Sequence, residues 1–316
     1  LSKNKPLFNR INNRVRLEVK LLLLQVLRLF KTINPEQSIL VFSDPRGGST
    51  WLAELIHHLD QSIIYWEPLH PKHNSTIREI GFGWRQHIPK NAVWPQAKSA
   101  FDQILKLAPL NEWTSMRFSA IDYVKCQTPI IKFCRGNHLI HWLCQQYTFK
   151  YKPVVLLRHP FAVAASQLKQ GGWDHAFSEF IIPQTKYNDI YLANQDFLKN
   201  LSTKEESLVA TWCITNKDLL APNSNWHTIY YESLITNPKE HIESLFLDWG
   251  MELPISIHQS FNKASATSVD LVENDSSKQL NKWQFYFDEG SLDNMQKVLD
   301  HFGINIYSKS SLYPSI

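Results

Sequence analysis

Five short apolar runs recur along the chain, at residues 38–42, 62–66, 129–133, 153–157 and 228–231, with helical stretches between them. A run such as Ser38-Ile39-Leu40-Val41-Phe42 offers no polar face to water, so as a strand it must be covered on both sides. Such strands alternating with helices predict an α/β fold, a parallel β-sheet flanked by helices. Ligands of sheets of this class sit beyond the carboxyl ends of the strands, so the residues just after each run are where chemistry is expected. The predicted division is an N-terminal basic amphipathic helix over residues 1–34 and one domain over residues 35–316, with insertions near 71–128 and 171–206.

Charge narrows the partners only slightly. Against 33 Lys and Arg stand 29 Asp and Glu, a balance too even for a nucleic-acid binder but suited to a pocket for anions. The cysteines Cys126, Cys134, Cys144 and Cys213 form no CxxC pair and follow no secretory signal, so reduced core thiols and a cytoplasmic enzyme are expected. His70 with His73 and His138 with His141 lack the ligand spacing of a metal site, and no metal is expected. Residues 15–30 (VRLEVKLLLLQVLRLF) read as a helix whose uncharged stretch, residues 21–27, is far short of the ~20 apolar residues of a membrane span. Packing on the body of the protein or on a partner subunit is the first reading of this helix, and peripheral contact with an anionic membrane is the second.

After the first run comes Ser43-Asp44-Pro45-Arg46-Gly47-Gly48-Ser49-Thr50-Trp51-Leu52, a strand, a tight loop and a helix start. Gly47 and Gly48 let backbone amides approach an anion, and the helix dipole with the Ser49 and Thr50 hydroxyls favours phosphate oxygens. The loop is P-loop-like but lacks the lysine of GxxxxGK[ST]; its cation is Arg46. Taken alone, the segment reads equally well as a turn capped by Ser49. After the fourth run, Leu157-Arg158-His159-Pro160 places an arginine at a strand end, with Ser166 eight residues on.

In this order and on these elements, the two segments resemble the PAPS-dependent sulfotransferase family, in motif style nearest its carbohydrate and tyrosine-protein members. The first is similar to the family's 5′-phosphosulfate loop, the second to its 3′-phosphate motif. The resemblance implies the sulfotransferase fold and transfer of a sulfuryl group from 3′-phosphoadenosine-5′-phosphosulfate (PAPS), leaving PAP. It assigns Arg46, Gly47, Gly48, Ser49 and Thr50 to the phosphosulfate, Arg158 and Ser166 to the 3′-phosphate, and Trp51 to the nucleoside, with core packing as the alternative for Trp51. Tyr231, in Tyr230-Tyr231-Glu232-Ser233-Leu234, takes the place of a tyrosine near the adenine. More loosely, Ser265 and Thr267 with Lys282 resemble Ser/Thr-rich and Lys-Trp donor elements. Arg46 stands where the family usually has lysine and inherits stabilisation of the leaving group.

The acceptor side departs from the soluble members, whose histidine after the third strand is replaced by Cys134 in Lys132-Phe133-Cys134. Trp66-Glu67-Pro68-Leu69-His70 resembles the Glu-Pro-Leu segment of carbohydrate sulfotransferases, making Glu67 the first candidate base and His70 the second. Burial beside Trp66 is expected to lift the Glu67 pKa and a nearby Arg46 to lower it again, with a structural pairing to an arginine as the other reading of Glu67. Lys132 is expected at the sulfuryl oxygens, with a salt bridge or a surface position as its other reading, and Trp84 with Glu67 at the acceptor, core packing being the alternative for Trp84; the acceptor is a carbohydrate first and a small metabolite or lipid second. The rival functions are a P-loop small-molecule kinase, which needs the missing lysine and Mg²⁺, and a catalytically silent relative that only binds.

Overall fold

A computed structural model describes residues 7–171, 179–261 and 280–315. Its centre is a five-stranded, wholly parallel sheet in the order β2-β3-β1-β4-β5, with β1 Ile39–Ser43, β2 Ser62–Trp66, β3 Thr128–Cys134, β4 Val154–Leu157 and β5 His227–Tyr230. Each strand lies within about a residue of its apolar run, because a strand buried on both faces ends where its apolar residues end. Along β1 the side chains alternate between two cores. Leu40 and Phe42 join Tyr65, Ile131, Phe133 and Leu157 on one face, while Ile39 and Val41 join Ile64, Ile130 and Leu156 on the other. The helix α1 (Leu7–Phe30) starts about two turns before the expected stretch and packs one face, centred on the fully buried Leu24, against the first of these cores.

The order of the strands fixes where a ligand can sit. From β1 the chain runs through α2 (Ser49–Ile56) to β2, then through α3 (Ser75–Glu79), α4 (Pro95–Leu105) and α5 (Ala120–Lys125) to β3. After α6 (Ile140–Gln146) it crosses to β4 on the other side of β1. The connections of the neighbouring strands β1 and β4 therefore leave in opposite directions, and a sheet of this topology takes its ligand at the carboxyl ends of those two strands. Beyond β4 come α7 (Pro160–Gln170), the short α8 (Asp189–Leu192) and α9 (Gln195–Lys199), and α10 (Lys204–Asn216). After β5, α11 (Tyr231–Thr236) and α12 (Pro238–Asp248) cover the second core, and α13 (Glu289–Phe302) packs with α7 and α10 in a third. Part of the 171–206 interval is thus built into the body: Leu198 is fully buried, and Gln86 Nε2 reaches the carbonyl of Lys186 from the other insertion.

Candidate functional site

The loop after β1 is held in a shape that side chains resist. Arg46 has φ 69° and Gly48 φ 98°, and Gly47 N–H donates to the Asp44 carbonyl at 2.9 Å. Gly48 caps the start of α2, where Ser49 and Thr50 form the first turn and their amides lack helical partners. A Cβ on Gly48 would stand 2.5 Å from Tyr231 Cδ2, so the bare glycine lets Tyr231 lie against the loop. Asp44 anchors the loop from beneath. Its buried carboxylate accepts from Asn216 Nδ2 at 2.6 Å and faces Arg85 at 3.8 Å; burial pushes its pKa up despite both.

The second cradle is joined to the first by direct contacts. Arg158 follows β4, donates from Nη1 to the Arg46 carbonyl at 2.9 Å, and sets its guanidinium over the Tyr231 ring at 4.4 Å. Arg46 Nε donates to Ser166 Oγ at 3.0 Å, and Gln167 Nε2 to the Pro45 carbonyl at 2.8 Å, so one face of α7 braces the loop. Arg158 Nε and Ser43 Oγ, beside and under the loop, are buried with no protein partner, as is Trp51 Nε1. Trp51 packs against the core beneath α2, the alternative weighed for it from sequence.

On the other side of β1, the strand register brings a charged cluster together. Trp66 pairs with Lys132, which puts Glu67 at the end of β2 beside Lys132 and Cys134 of β3. Lys132, 2% exposed, donates to Glu67 Oε1 at 2.6 Å and to Cys134 Sγ at 3.1 Å, and lies 3.9 Å over the Trp66 ring. Arg135 Nη1 stands 3.7 Å from Glu67 Oε2 and covers the Trp84 ring at 4.8 Å. The expected lift of Glu67 is reversed. Burial pushes its carboxyl up, but the Lys132 ammonium, hydrogen bonds from Lys132 and Cys134, and Arg135 outweigh it, leaving the pKa below the ordinary value. The opposing cations are Lys132 and Arg135, where the sequence pointed to Arg46.

Around Glu67 stands a wall of rings. His70 meets Trp84 edge-on at 4.8 Å and Trp113 at 5.0 Å, and His73 stacks on Trp113 at 4.4 Å. Burial, then Arg135 and His73, push His70 down to about 4, so it is a neutral imidazole near neutral pH. Trp84 is 43% exposed, a face open at the end of this wall. Ser49 links the two halves of the site, its Oγ 3.5 Å from Cys134 Sγ.

The remaining candidates fall elsewhere. Ser265 and Thr267 lie outside the described residues. Lys282 opens the turn Lys282–Phe285, whose Trp283 stacks on His159, the neighbour of Arg158, at 4.5 Å. All four cysteines are free thiols, three of them buried. Sequence reasoning missed Arg135 and Asp44 as parts of the site. Both follow a strand directly, which was the signal that could have found them.

Comparison with known proteins follows the same lines. The family described as the sulfotransferase domain matches residues 36–305. Among solved structures, the chain is similar to the sulfotransferase domain from the curacin biosynthetic pathway (13% identity, 84% of this chain and 96% of that one, TM-score 0.42). It is also similar to the sulfotransferase domain of the Synechococcus PCC 7002 olefin synthase (16% identity, 88% and 97%, TM-score 0.44). A third is mouse sulfotransferase SULT7A1 complexed with PAP (14% identity, 87% of each chain, TM-score 0.45). No curated protein matches the chain. With the family matched from before β1 to just past α13, the chain belongs to the sulfotransferase domain family and is an enzyme of the PAPS-dependent sulfotransferase class.

Proposed function

We propose that the two cradles grip opposite ends of one PAPS molecule and that the sulfuryl group passes to a carbohydrate hydroxyl held at the Glu67 side. The observation that supports this reading is the contact from Arg158 through the Tyr231 ring to Gly48, which sets the two candidate cradles side by side. The Gly47 and Gly48 amides with Ser49 and Thr50 take the 5′-phosphosulfate, and Arg158 with Ser166 takes the 3′-phosphate. Tyr231, between them, lies against the adenosine.

Transfer then needs an in-line attack in which the acceptor oxygen bonds to sulfur as the bond from sulfur to the phosphate oxygen breaks. Arg46 stabilises the charge that develops on the departing phosphate, and as a guanidinium it stays protonated while doing so. Lys132 faces the sulfuryl oxygens from the β3 side. The acceptor's proton goes to Glu67, whose position beside two cations keeps it ionised and ready to accept. The rings of His70, Trp84 and Trp113 suit the C–H faces of a sugar, which is why a carbohydrate is preferred to a small metabolite or a lipid.

Titration with PAP and with ATP tests the donor: PAP binding that is independent of Mg²⁺ is expected, whereas tight Mg²⁺-dependent ATP binding would replace this reading with a kinase. Glu67→Gln should leave PAP affinity unchanged and slow transfer by about 100-fold or more. Retained turnover in Glu67→Gln, with loss in His70→Ala, would move the base to His70.

A further inference from the structure

We propose that α1 and the basic cavity at its carboxyl end form a docking surface for an anionic phospholipid bilayer, so that the enzyme works at a membrane surface. While Leu24 turns inward, the opposite side of α1 exposes Val15, Val19, Leu22, Val26, Leu29 and Phe30, each between 45% and 83% accessible. At 3.6 residues per turn these six, with Leu23 at their edge, fill an arc of about 120°. The helix is held in this orientation by its cations: Lys20 Nζ donates to the Ser115 carbonyl, Arg28 Nη1 to that of Ala108 at 2.6 Å, and Lys31 Nζ to that of Val124 at 2.9 Å. The α5 helix beneath adds exposed Ile121 and Val124.

Charge identifies the occupant. Along α1 and its last cap the sequence carries six Lys and Arg against the single acid Glu18. Of these, Lys20, Arg28 and Lys31 reach carbonyls of the body and Arg14 pairs with Glu18, so the charge offered to a ligand is concentrated at the cavity. A cavity of about 630 Å³ opens at the end of the apolar face, lined by Arg28, Lys72, His73 and Arg78, with no carboxylate among its described lining residues. Leu29 belongs to both surfaces, so the apolar face and the cation-lined cavity are continuous. An apolar strip that ends in a cationic cavity matches acyl chains beside phosphate headgroups. A second copy of the chain fits less well. A two-helix seam is the narrower stripe and would leave Leu23 and Phe30 in water, and it would bring two cationic helices together. No described helix is long and apolar enough to cross a membrane, so contact would be with the surface.

Flotation of the full chain with mixed phosphatidylcholine–phosphatidylglycerol vesicles, against phosphatidylcholine alone, tests the inference. Binding to the mixed vesicles only, weakening as salt is raised, is expected. Lys72→Gln and Arg78→Gln should each lower the partition coefficient about fivefold, and Val19→Glu with Leu22→Glu should abolish it. PAP affinity in these variants should equal that of the parent, which shows that the chain is folded and separates this inference from the donor reading. Equal binding to both vesicle types, no binding to either, or a dimer in sedimentation that Val19→Glu with Leu22→Glu dissolves would each overturn it.

Discussion

At Gly48 the donor loop has no room for a side chain. Its φ of 98° costs an L-residue roughly 1–2 kcal/mol, and an added Cβ would push the Tyr231 ring out of its place beneath Arg158. Gly48→Ala should therefore lower the thermal midpoint and weaken PAP binding by about tenfold or more, read by calorimetry. An alanine variant that binds PAP like the parent would remove Tyr231 from nucleotide recognition. Gly48, Arg46 and Arg158 were legible because their spacing lies within single stretches of chain. The cluster at Glu67 was not. It depends on β2 lying beside β3, which brings Trp66 level with Lys132, and on the left-handed turn at Arg135 that aims its guanidinium back at Glu67. Neither sheet neighbours nor a φ of 72° can be read from residue order, so the carboxylate was expected to rise when its partners in fact depress it.

Between elements, Glu232 plays the role that Gly48 plays within the loop. Its buried carboxylate accepts from the His159 amide at 2.8 Å and from the Tyr307 hydroxyl at 3.0 Å, pinning the start of α11 to the start of α7 and to the C-terminal segment. Tyr231 and Arg158 are its immediate neighbours in sequence and across the β4–β5 pair. Glu232→Ala strands two buried donors and should cost about 2–3 kcal/mol in denaturant unfolding, with weaker PAP binding as the two cradles drift apart. Glu232→Gln keeps an acceptor and should lose less; equal losses in both would make charge, not hydrogen bonding, the cause. The strands themselves were legible to within a residue or so, since full burial makes their composition unmistakable. Helices α8 and α9 were not, because segments of four and five residues carry too few turns for an apolar period to show.

Across the whole molecule, stability should depend on pH through imidazoles that the fold keeps neutral. His159 is the clearest. Its Nδ1 accepts the Phe161 amide that begins α7, and its Nε2 faces the Ser308 carbonyl at 3.1 Å, so both nitrogens are committed to the neutral tautomer. Burial, with Arg158 beside it, pushes His159 down to about 3, and burial pushes His138 down to about 4. Unfolded, both return to the ordinary histidine value of about 6.5. Between those limits the unfolded chain binds protons that the folded one refuses, so stability falls as pH drops through this window. For His159 alone the loss between about pH 7 and about pH 5 is on the order of 2 kcal/mol. Asp44 and Glu232 act in the opposite sense, since burial raises both and the folded state takes up their protons first on acidification. A single pH profile mixes the two effects; a substitution separates them. His159→Asn keeps an oxygen to cap α7 but has nothing to titrate, so its denaturant stability should change less between the two pH values than the parent's. If parent and variant lose stability equally on acidification, the acid sensitivity belongs to other groups.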